Sequence, residues 1–486
     1  MNREYKNSIN LQFLLLPILL YFFNIRKIIF PTNFQQDDVR ELFISNYQSF
    51  TCILDQGDNH PLWTYMIWFF SKISLIELQN LVSTLNIFLF LGSLFFIYKY
   101  LTDVYNYKVA LLFSIFYVSA PVTLTYSISL KQYMLELFYS SYCLYISRNL
   151  DKNIKSVSFY ILSFIFVIGS LVNIATFGIF VVYYFSSIKI SSFNLKKLFL
   201  IFIPIIFYLN RIINKVSQEE YSDYWGNFFI SYSSFEAFFN KTFFIFNMIF
   251  KSYFGFIYFD QMIFILLLLL TFSSFLVSKD FTFPILVVGV FLFANILKIY
   301  PLGTGRTDIV LFPFVIALFS SLVFRIYTKI NNQFFIILIL GLVAYFSLNV
   351  DAYYKQEQIS KPLAEINSID NKGALVLVAN EQYPSFEYYG QKIFGTKNID
   401  IDGCLVSRPD FDNYLVVNKL DFDSDLFNKQ LSISLDYKRV LILGIELDSR
   451  GVFRDSEDYL FNNGFILKDS QSFSDGIYLN TYENNS

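Results

Sequence analysis

Residues Gln79 to Tyr98 read QNLVSTLNIFLFLGSLFFIY, twenty positions without a charged side chain. At the rise of an α-helix such a block spans roughly 30 Å, the thickness of bilayer hydrocarbon. It lacks the strict apolar–polar alternation of a barrel strand, and a helix pairs every backbone N–H within the segment, so a transmembrane helix is the expected structure. Similar blocks occur on both sides. Upstream lies Leu11 to Ile29; downstream come residues 108–125, 132–147, 155–172, 174–188 and 197–213, then 261–278, 282–298, 308–325 and 332–350. By length this makes about eleven spans, separated near the middle by an extra-long loop over residues 214–260.

Composition points the same way. Of 486 residues 55% are hydrophobic and 21% aromatic, with 61 Phe and 36 Tyr, and only 16% are charged. A soluble enzyme of this length carries far more charge. The net charge of -2 offers no basic surface for nucleic acid, and the sparse Lys and Arg read instead as topology markers. Met1 to Phe23 resembles a secretory signal, but no small-residue cleavage site follows, so the first helix is expected to stay. Cys52, Cys143 and Cys404 show no metal-ligand or redox spacing. Cys52 and Cys404 could share a compartment, yet ordinary small apolar packing is the expectation for all three.

With the amino terminus cytoplasmic, the inner loops hold Lys99 and Lys108, then Arg148, Lys152 and Lys155, then Lys189, Lys196 and Lys197, and later Arg325 and Lys329. Short basic loops on one side satisfy the positive-inside rule. The other face then receives Asp37, Asp38, Asp55, Asp58, Glu219, Glu220 and Asp223. The expected organisation is a membrane domain over residues 1–350, with an outer loop 30–75 that ends in an amphipathic helix, Pro61 to Ile73. Trp63 and Trp68 of that helix suit the interface. From Asp351 onward the composition is that of a soluble domain. The apolar runs Ala374 to Ala379, Tyr414 to Val417 and Val440 to Leu443 read as strands, and Ser385 to Phe394 and Ser456 to Phe461 as helices. A small extracytoplasmic α/β domain over residues 351–486 is expected, without a glycine-rich nucleotide fingerprint, since Gly444 stands alone after its strand.

Chemistry-bearing residues gather on the outer side. Asp37-Asp38-Val39-Arg40-Glu41 follows the first helix; adjacent carboxylates can act as a general base or share a hard cation through oxygen, or simply cap a solvated loop. Asp58-Asn59-His60-Pro61 holds the single histidine of the chain. One histidine cannot build a His-rich zinc site, so a metal held by Asp37 and Asp38 would be magnesium or manganese. His60 reads as a positioning or capping residue, or as a catalytic one. Lys131 and Arg306 sit at outer helix ends, where they either snorkel or hold an anionic lipid headgroup. Glu136, about a turn inside its helix, is expected to pair with a cation such as Lys131.

Four of these elements resemble the GT-C superfamily of membrane glycosyltransferases, in particular the branch of the protein O-mannosyltransferases and the lipid A aminoarabinose transferase. Asp37-Asp38 resembles the acidic pair of the first outer loop; Asn59-His60-Pro61-Leu62 resembles a His-Pro-Pro-Leu segment with the second proline missing. Lys131-Gln132-Tyr133 resembles a Lys/Arg-x-Tyr element, and Tyr300-Pro301 through Arg306 resembles a late proline-and-arginine loop. The resemblance covers residues 10–350. It implies an inverting glycosyltransferase that uses a polyprenyl-phosphate sugar, with a glycan, lipid or protein acceptor, at the outer face of a bacterial inner membrane. Asp37 would be the catalytic carboxylate, with Asp38 and Asp58 as alternates or metal ligands, and His60, Lys131, Tyr133 and Arg306 would bind the lipid phosphate and sugar. A lipid-linked sugar flippase and an O-antigen-polymerase-like enzyme are the alternatives.

Overall fold

The computed structural model describes residues 12–26, 39, 42–54, 60–74, 76–147, 169, 172–187, 225–254, 282–327, 337, 341, 345, 359–368, 374–379, 382–401, 403–417, 424–445, 452–473 and 477–484. The spans expected at 197–213 and 261–278 lie outside these residues, as do nearly all of those at 155–172 and 332–350. The protein is mostly helical, with a sheet domain at its C-terminal end. It divides into two compact units: Met1–Ile29, Gly57–Trp63 and Val82–Tyr353 form the first, and Phe30–Gln56, Thr64–Leu81 and Tyr354–Ser486 the second.

In the first unit, helix Tyr133–Ser147 is a hub. It packs on Ile174–Ser187, Thr282–Ile296, Phe312–Tyr327 and the short turn Thr307–Leu311. An aromatic ladder runs through the interior, Tyr21 on Phe90, Phe90 on Tyr117, Tyr117 on Phe312 and Phe312 on Tyr253, with ring centroids 4.5, 5.8, 4.9 and 4.5 Å apart. In the middle of the ladder the Tyr117 hydroxyl meets Ser93 Oγ at 2.5 Å, and Ser93 Oγ meets Ser141 Oγ at 2.6 Å, so these desolvated groups satisfy one another.

The described helices depart from the expected spans in three ways. Leu78–Val104, with 27 residues, is the one helix among the described residues long and apolar enough to cross a bilayer; the others that qualify by composition run 10–17 residues. The expected count of eleven spans thus does not emerge from the described residues. The block at 108–125 is two helices, Tyr107–Ser119 and Pro121–Tyr126, with Ala120 extended at ψ 132° between them. Pro121 lacks an N–H and pushes its predecessor out of the helical region. The extra-long loop contains a helix of 20 residues, Phe235–Phe254. Its Glu236, Lys241 and Lys251 lower its mean apolarity, which is why an apolar-run criterion passes over it.

The second unit holds a five-stranded sheet in the order β4-β1-β5-β7-β6 and a separate hairpin β2-β3. The strands are β1 (Ala374–Ala379), β2 (Thr396–Ile401), β3 (Cys404–Pro409), β4 (Tyr414–Val417), β5 (Arg439–Ile445), β6 (Phe465–Ser472) and β7 (Ile477–Asn484). β1 pairs parallel with both β4 and β5, through Val376 opposite Tyr414 and Leu441, whereas β7 runs antiparallel to β5 and β6. Every residue of β1 is buried, as a central parallel strand covered on both faces requires. Helices Tyr383–Phe394 and Val452–Asn462 occur where the sequence predicts them. Gly444 has a packing role: a Cβ there would meet the Phe453 ring at 1.9 Å, so only glycine lets helix Val452–Asn462 lie this close to β5.

The segment before the amphipathic helix belongs to this second unit and docks on the hairpin. Tyr47 bridges Val406, the Gln48 N–H donates to the Leu405 carbonyl at 3.0 Å, and Gln48 Nε2 donates to Ser407 Oγ at 2.7 Å. Cys52 and Cys404, expected as free thiols, form a disulfide with Cα atoms 5.8 Å apart across 352 residues of sequence. The antiparallel docking of residues 47–48 on β3 brings the two cysteines together, a contact no local spacing encodes. Further along the same helix, the Trp68 indole donates to the Tyr47 carbonyl at 3.0 Å.

A buried polar cluster lies beneath the hairpin. The Glu387 side chain is wholly buried, accepts from the Tyr414 hydroxyl at 2.7 Å and lies 3.8 Å from Arg408 Nε. Burial pushes the Glu387 carboxyl above its ordinary value, opposed by hydrogen bonds from Tyr414 and Tyr383 and by the charges of Arg408 and Lys397. Burial and the Glu387 charge together raise the hydroxyls of Tyr383 and Tyr414.

Candidate functional site

Lys131 lies in the loop between helices Pro121–Tyr126 and Tyr133–Ser147, and that loop is held by its backbone. Four successive carbonyls are captured by side chains. Ser83 donates to Ile128 at 3.2 Å, Asn86 Nδ2 donates to Ser129 at 2.6 Å and to Lys131 at 3.1 Å, and the Trp63 indole donates to Leu130 at 3.0 Å. Ser129 Oγ accepts the Lys131 N–H at 3.1 Å. Trp63, expected at the membrane interface, is instead wholly buried. Its N–H finds the Leu130 carbonyl rather than a headgroup, which is how an indole can be buried without loss. Asn86 and Ser83 lie inside the apolar block Gln79 to Tyr98, and a polar side chain within an apolar span is the only sequence signal that this clamp leaves.

His60 joins the same loop. Its Nε2 lies 3.0 Å from Gln132 Nε2. An amide nitrogen can only donate, so in this contact the imidazole nitrogen accepts. Gln132 is 1% exposed, so the ring meets a partner that cannot swing away. Tyr133 is also buried, with its ring edge-on to Tyr126 at 4.5 Å. Glu136 does not pair with Lys131 as expected: it is fully buried, neither carboxyl oxygen has a hydrogen-bond partner among the described residues, and the side-chain amides of Gln132 and Asn173 are its polar neighbours. Lys131 precedes the helix and Glu136 lies on its inward face, so the one-turn spacing does not bring their side chains together.

The Arg306 loop is knotted in a different manner. Asp308 Oδ1 accepts from Thr304 Oγ1 at 3.2 Å and from the Gly305 N–H at 3.0 Å, while Thr304 Oγ1 accepts the N–H groups of Arg306 and Thr307 at 3.1 and 2.9 Å. Gly303 has φ 84° and lies against the backbone of Ile245, a place where both the conformation and the space require glycine. The guanidinium of Arg306 lies over the Trp225 ring, 5.2 Å from its centroid. Asp308 was not anticipated as part of a site. It is fully buried, and its second oxygen has no hydrogen-bond partner among the described residues.

The two cationic loops lead into elements that touch, since the turn Thr307–Leu311 after Arg306 packs on helix Tyr133–Ser147 after Lys131. Asp37, Asp38 and Asp58 lie outside the described residues. Among the described residues, no three His, Cys, Asp or Glu side chains converge as a metal site would require.

No family model and no curated protein matches the sequence. Solved structures do match. The crystal structure of the Archaeoglobus fulgidus oligosaccharyltransferase complexed with zinc and sulfate aligns with a TM-score of 0.50 at 11% identity, over 97% of this chain and 72% of its own. The oligosaccharyltransferase AglB of the same organism, with an inhibitory peptide and a dolichol-phosphate, gives 0.49 at 11% identity, covering 98% and 74%. The same enzyme tethered to an acceptor peptide gives 0.49 at 10% identity, covering 100% and 74%. At this level of identity the likeness to the archaeal oligosaccharyltransferase is one of fold.

Proposed function

We propose that this chain is an inverting membrane glycosyltransferase that moves a sugar from a polyprenyl-phosphate donor to a hydroxyl on a glycan, lipid or protein acceptor, at the outer face of a bacterial inner membrane. The observation that carries the proposal is the pair of pinned cationic loops, holding Lys131 and Arg306 ahead of two elements that pack together, within a fold shared with a GT-C enzyme. Residues 1–350 would form the catalytic membrane domain and residues 351–486 an outer domain. The Cys52–Cys404 disulfide supports the outer location, since such bonds persist in oxidising compartments.

In the proposed reaction the acceptor oxygen attacks the anomeric carbon as the bond from that carbon to phosphate oxygen breaks. Asp37 takes the acceptor proton, with Asp38 or Asp58 as alternates, and the polyprenyl phosphate leaves with the electron pair. Attack opposite the leaving group inverts the anomeric centre. Phosphate is already a good leaving group, so the protein's work is to stabilise the charge growing on it, the role assigned to Lys131 and Arg306. His60 and Tyr133 would orient donor sugar and phosphate. The zinc complex of the similar archaeal enzyme supports a divalent ion at Asp37 and Asp38; carboxylate donors with a single histidine favour magnesium or manganese.

The test is sugar transfer from a polyprenyl-phosphate donor by purified Asp37→Asn and Arg306→Ala proteins that remain folded. Each should lose about a hundredfold to a thousandfold in turnover, roughly 3 to 4 kcal/mol of transition-state stabilisation. Near-normal transfer in both rejects the assignment, and lipid flux without transfer in proteoliposomes would favour a flippase.

A further inference from the structure

Helix Thr282–Ile296 displays an exposed apolar stripe. Leu286, Val290 and Phe293 are exposed, and Leu297, just past the helix, extends the same stripe. Their spacing of four, three and four residues keeps all of them on one side. Directly after the stripe comes Lys298, exposed, with its backbone at φ 58°. The helix ends through the Lys298 N–H to Asn295 and the Ile299 N–H to Ala294, at 2.9 and 2.8 Å. Lys298 therefore occupies the left-handed position that usually falls to glycine. A side chain there opposes the backbone's preference, so a lysine at this place needs a further reason.

Lys298 lines a cleft of about 460 Å³ together with Gly226, Phe229, Ile230, Ser231, Tyr232 and Ser233. The cleft is preformed. Fully buried Asn295 accepts the Ile230 N–H at 2.9 Å and donates to the carbonyls of Phe228 and Tyr300 at 2.7 and 3.0 Å, which fixes the 228–230 segment to the end of the helix. Ser231 and Ser233 hydroxyls lie 3.1 Å apart at its edge. Hydroxyl donors and one ammonium thus line a cleft whose Lys298 follows directly on Leu297, the last residue of the apolar stripe.

We propose that this cleft binds the anionic phosphate headgroup of a bilayer lipid whose chains lie along the Leu286–Leu297 stripe, with Lys298 pairing with the phosphate and Ser231 and Ser233 donating to it. An amphiphile matches both halves of the site at once: the track accepts hydrocarbon, and the cleft supplies charge-assisted hydrogen bonds. A lysine there that served only to complement the helix dipole would need neither the cleft nor the stripe. The proposal does not depend on sugar transfer, and its test uses no sugar donor.

The experiment titrates phosphatidylglycerol, phosphatidylcholine and inorganic phosphate separately onto the full-length protein in detergent, with bound lipid read by native mass spectrometry. Wild type should prefer phosphatidylglycerol over phosphatidylcholine. Lys298→Gly, which suits the left-handed backbone and should melt no lower than wild type, should bind phosphatidylglycerol about fivefold more weakly. Lys298→Arg should retain binding, and Lys251→Gln, on helix Phe235–Phe254, should leave it unchanged. Equal phosphatidylglycerol affinity in wild type and Lys298→Gly would make Lys298 a helix cap and overturn the proposal. Displacement of the lipid by inorganic phosphate at equal concentration would overturn the lipid as occupant.

Discussion

The indole N–H of Trp63 donates to the carbonyl of Leu130 at 3.0 Å, with the Trp63 side chain wholly buried. This bond ties the start of the amphipathic helix to the loop that presents Lys131, and it joins His60–Gln132 and the Asn86 clamp in holding one short stretch of backbone.

Trp63→Phe keeps most of the buried ring but leaves the Leu130 carbonyl without its donor. The expected loss is about 1–3 kcal/mol of stability. Asn86→Leu removes two donors at once and should cost more. Denaturant unfolding in detergent gives the comparison, and an unchanged midpoint in both variants would show the loop to be held by something else.

His60 and Gln132 should act on transfer as a pair. His60→Ala and Gln132→Leu each remove the same contact, so the double variant should be no worse than the more damaging single one, with a coupling of roughly 0.5–3 kcal/mol in kcat/KM. Strictly additive losses would separate the two residues.

The Cys52–Cys404 disulfide predicts that Cys52→Ser, Cys404→Ser and the double variant lose the same stability, about 2–4 kcal/mol, whereas Cys143→Ser, which breaks no bond, stands apart from them. A protein cleaved between the two cysteines should stay in one piece on a non-reducing gel and separate after reduction. Separation without reductant would exclude the bond.

Glu387 supplies a pH dependence whose sign follows from burial. Its carboxyl is raised above the ordinary 4.5, so between that value and the folded one the native state holds a proton that the unfolded chain has released. Stability from this group is complete below the ordinary value and is lost as pH rises through the folded one. Glu387→Gln cannot lose a proton, so its thermal midpoint should gain on wild type as the pH rises above 4.5. Parallel midpoint curves for the two proteins would assign the pH dependence to other groups.

How much of this was legible beforehand varies with the range over which each feature is encoded. The helices at Tyr133–Ser147 and Thr282–Ile296, strands β1, β4 and β5, and the helices flanking them were read from local apolar runs, because propensity and burial leave their mark within ten or twenty residues. The loops around Lys131 and Arg306 were picked out by residue type. Asp308 and Asn86 were not, since a polar residue in an apolar block does not announce which carbonyl or amide it will meet.

By itself, the sequence determined a mostly helical chain with apolar blocks, a C-terminal sheet domain, and cations at the ends of particular helices. Tertiary structure alone decided that Cys52 meets Cys404, that Trp63 turns inward to Leu130, that Glu136 stands apart from Lys131, and that Lys298 takes a left-handed backbone beside a cleft. Local pattern follows from the chain's own covalent periodicity. Partners 67 or 352 residues apart are selected by which surfaces exclude water together, a property of the packed whole.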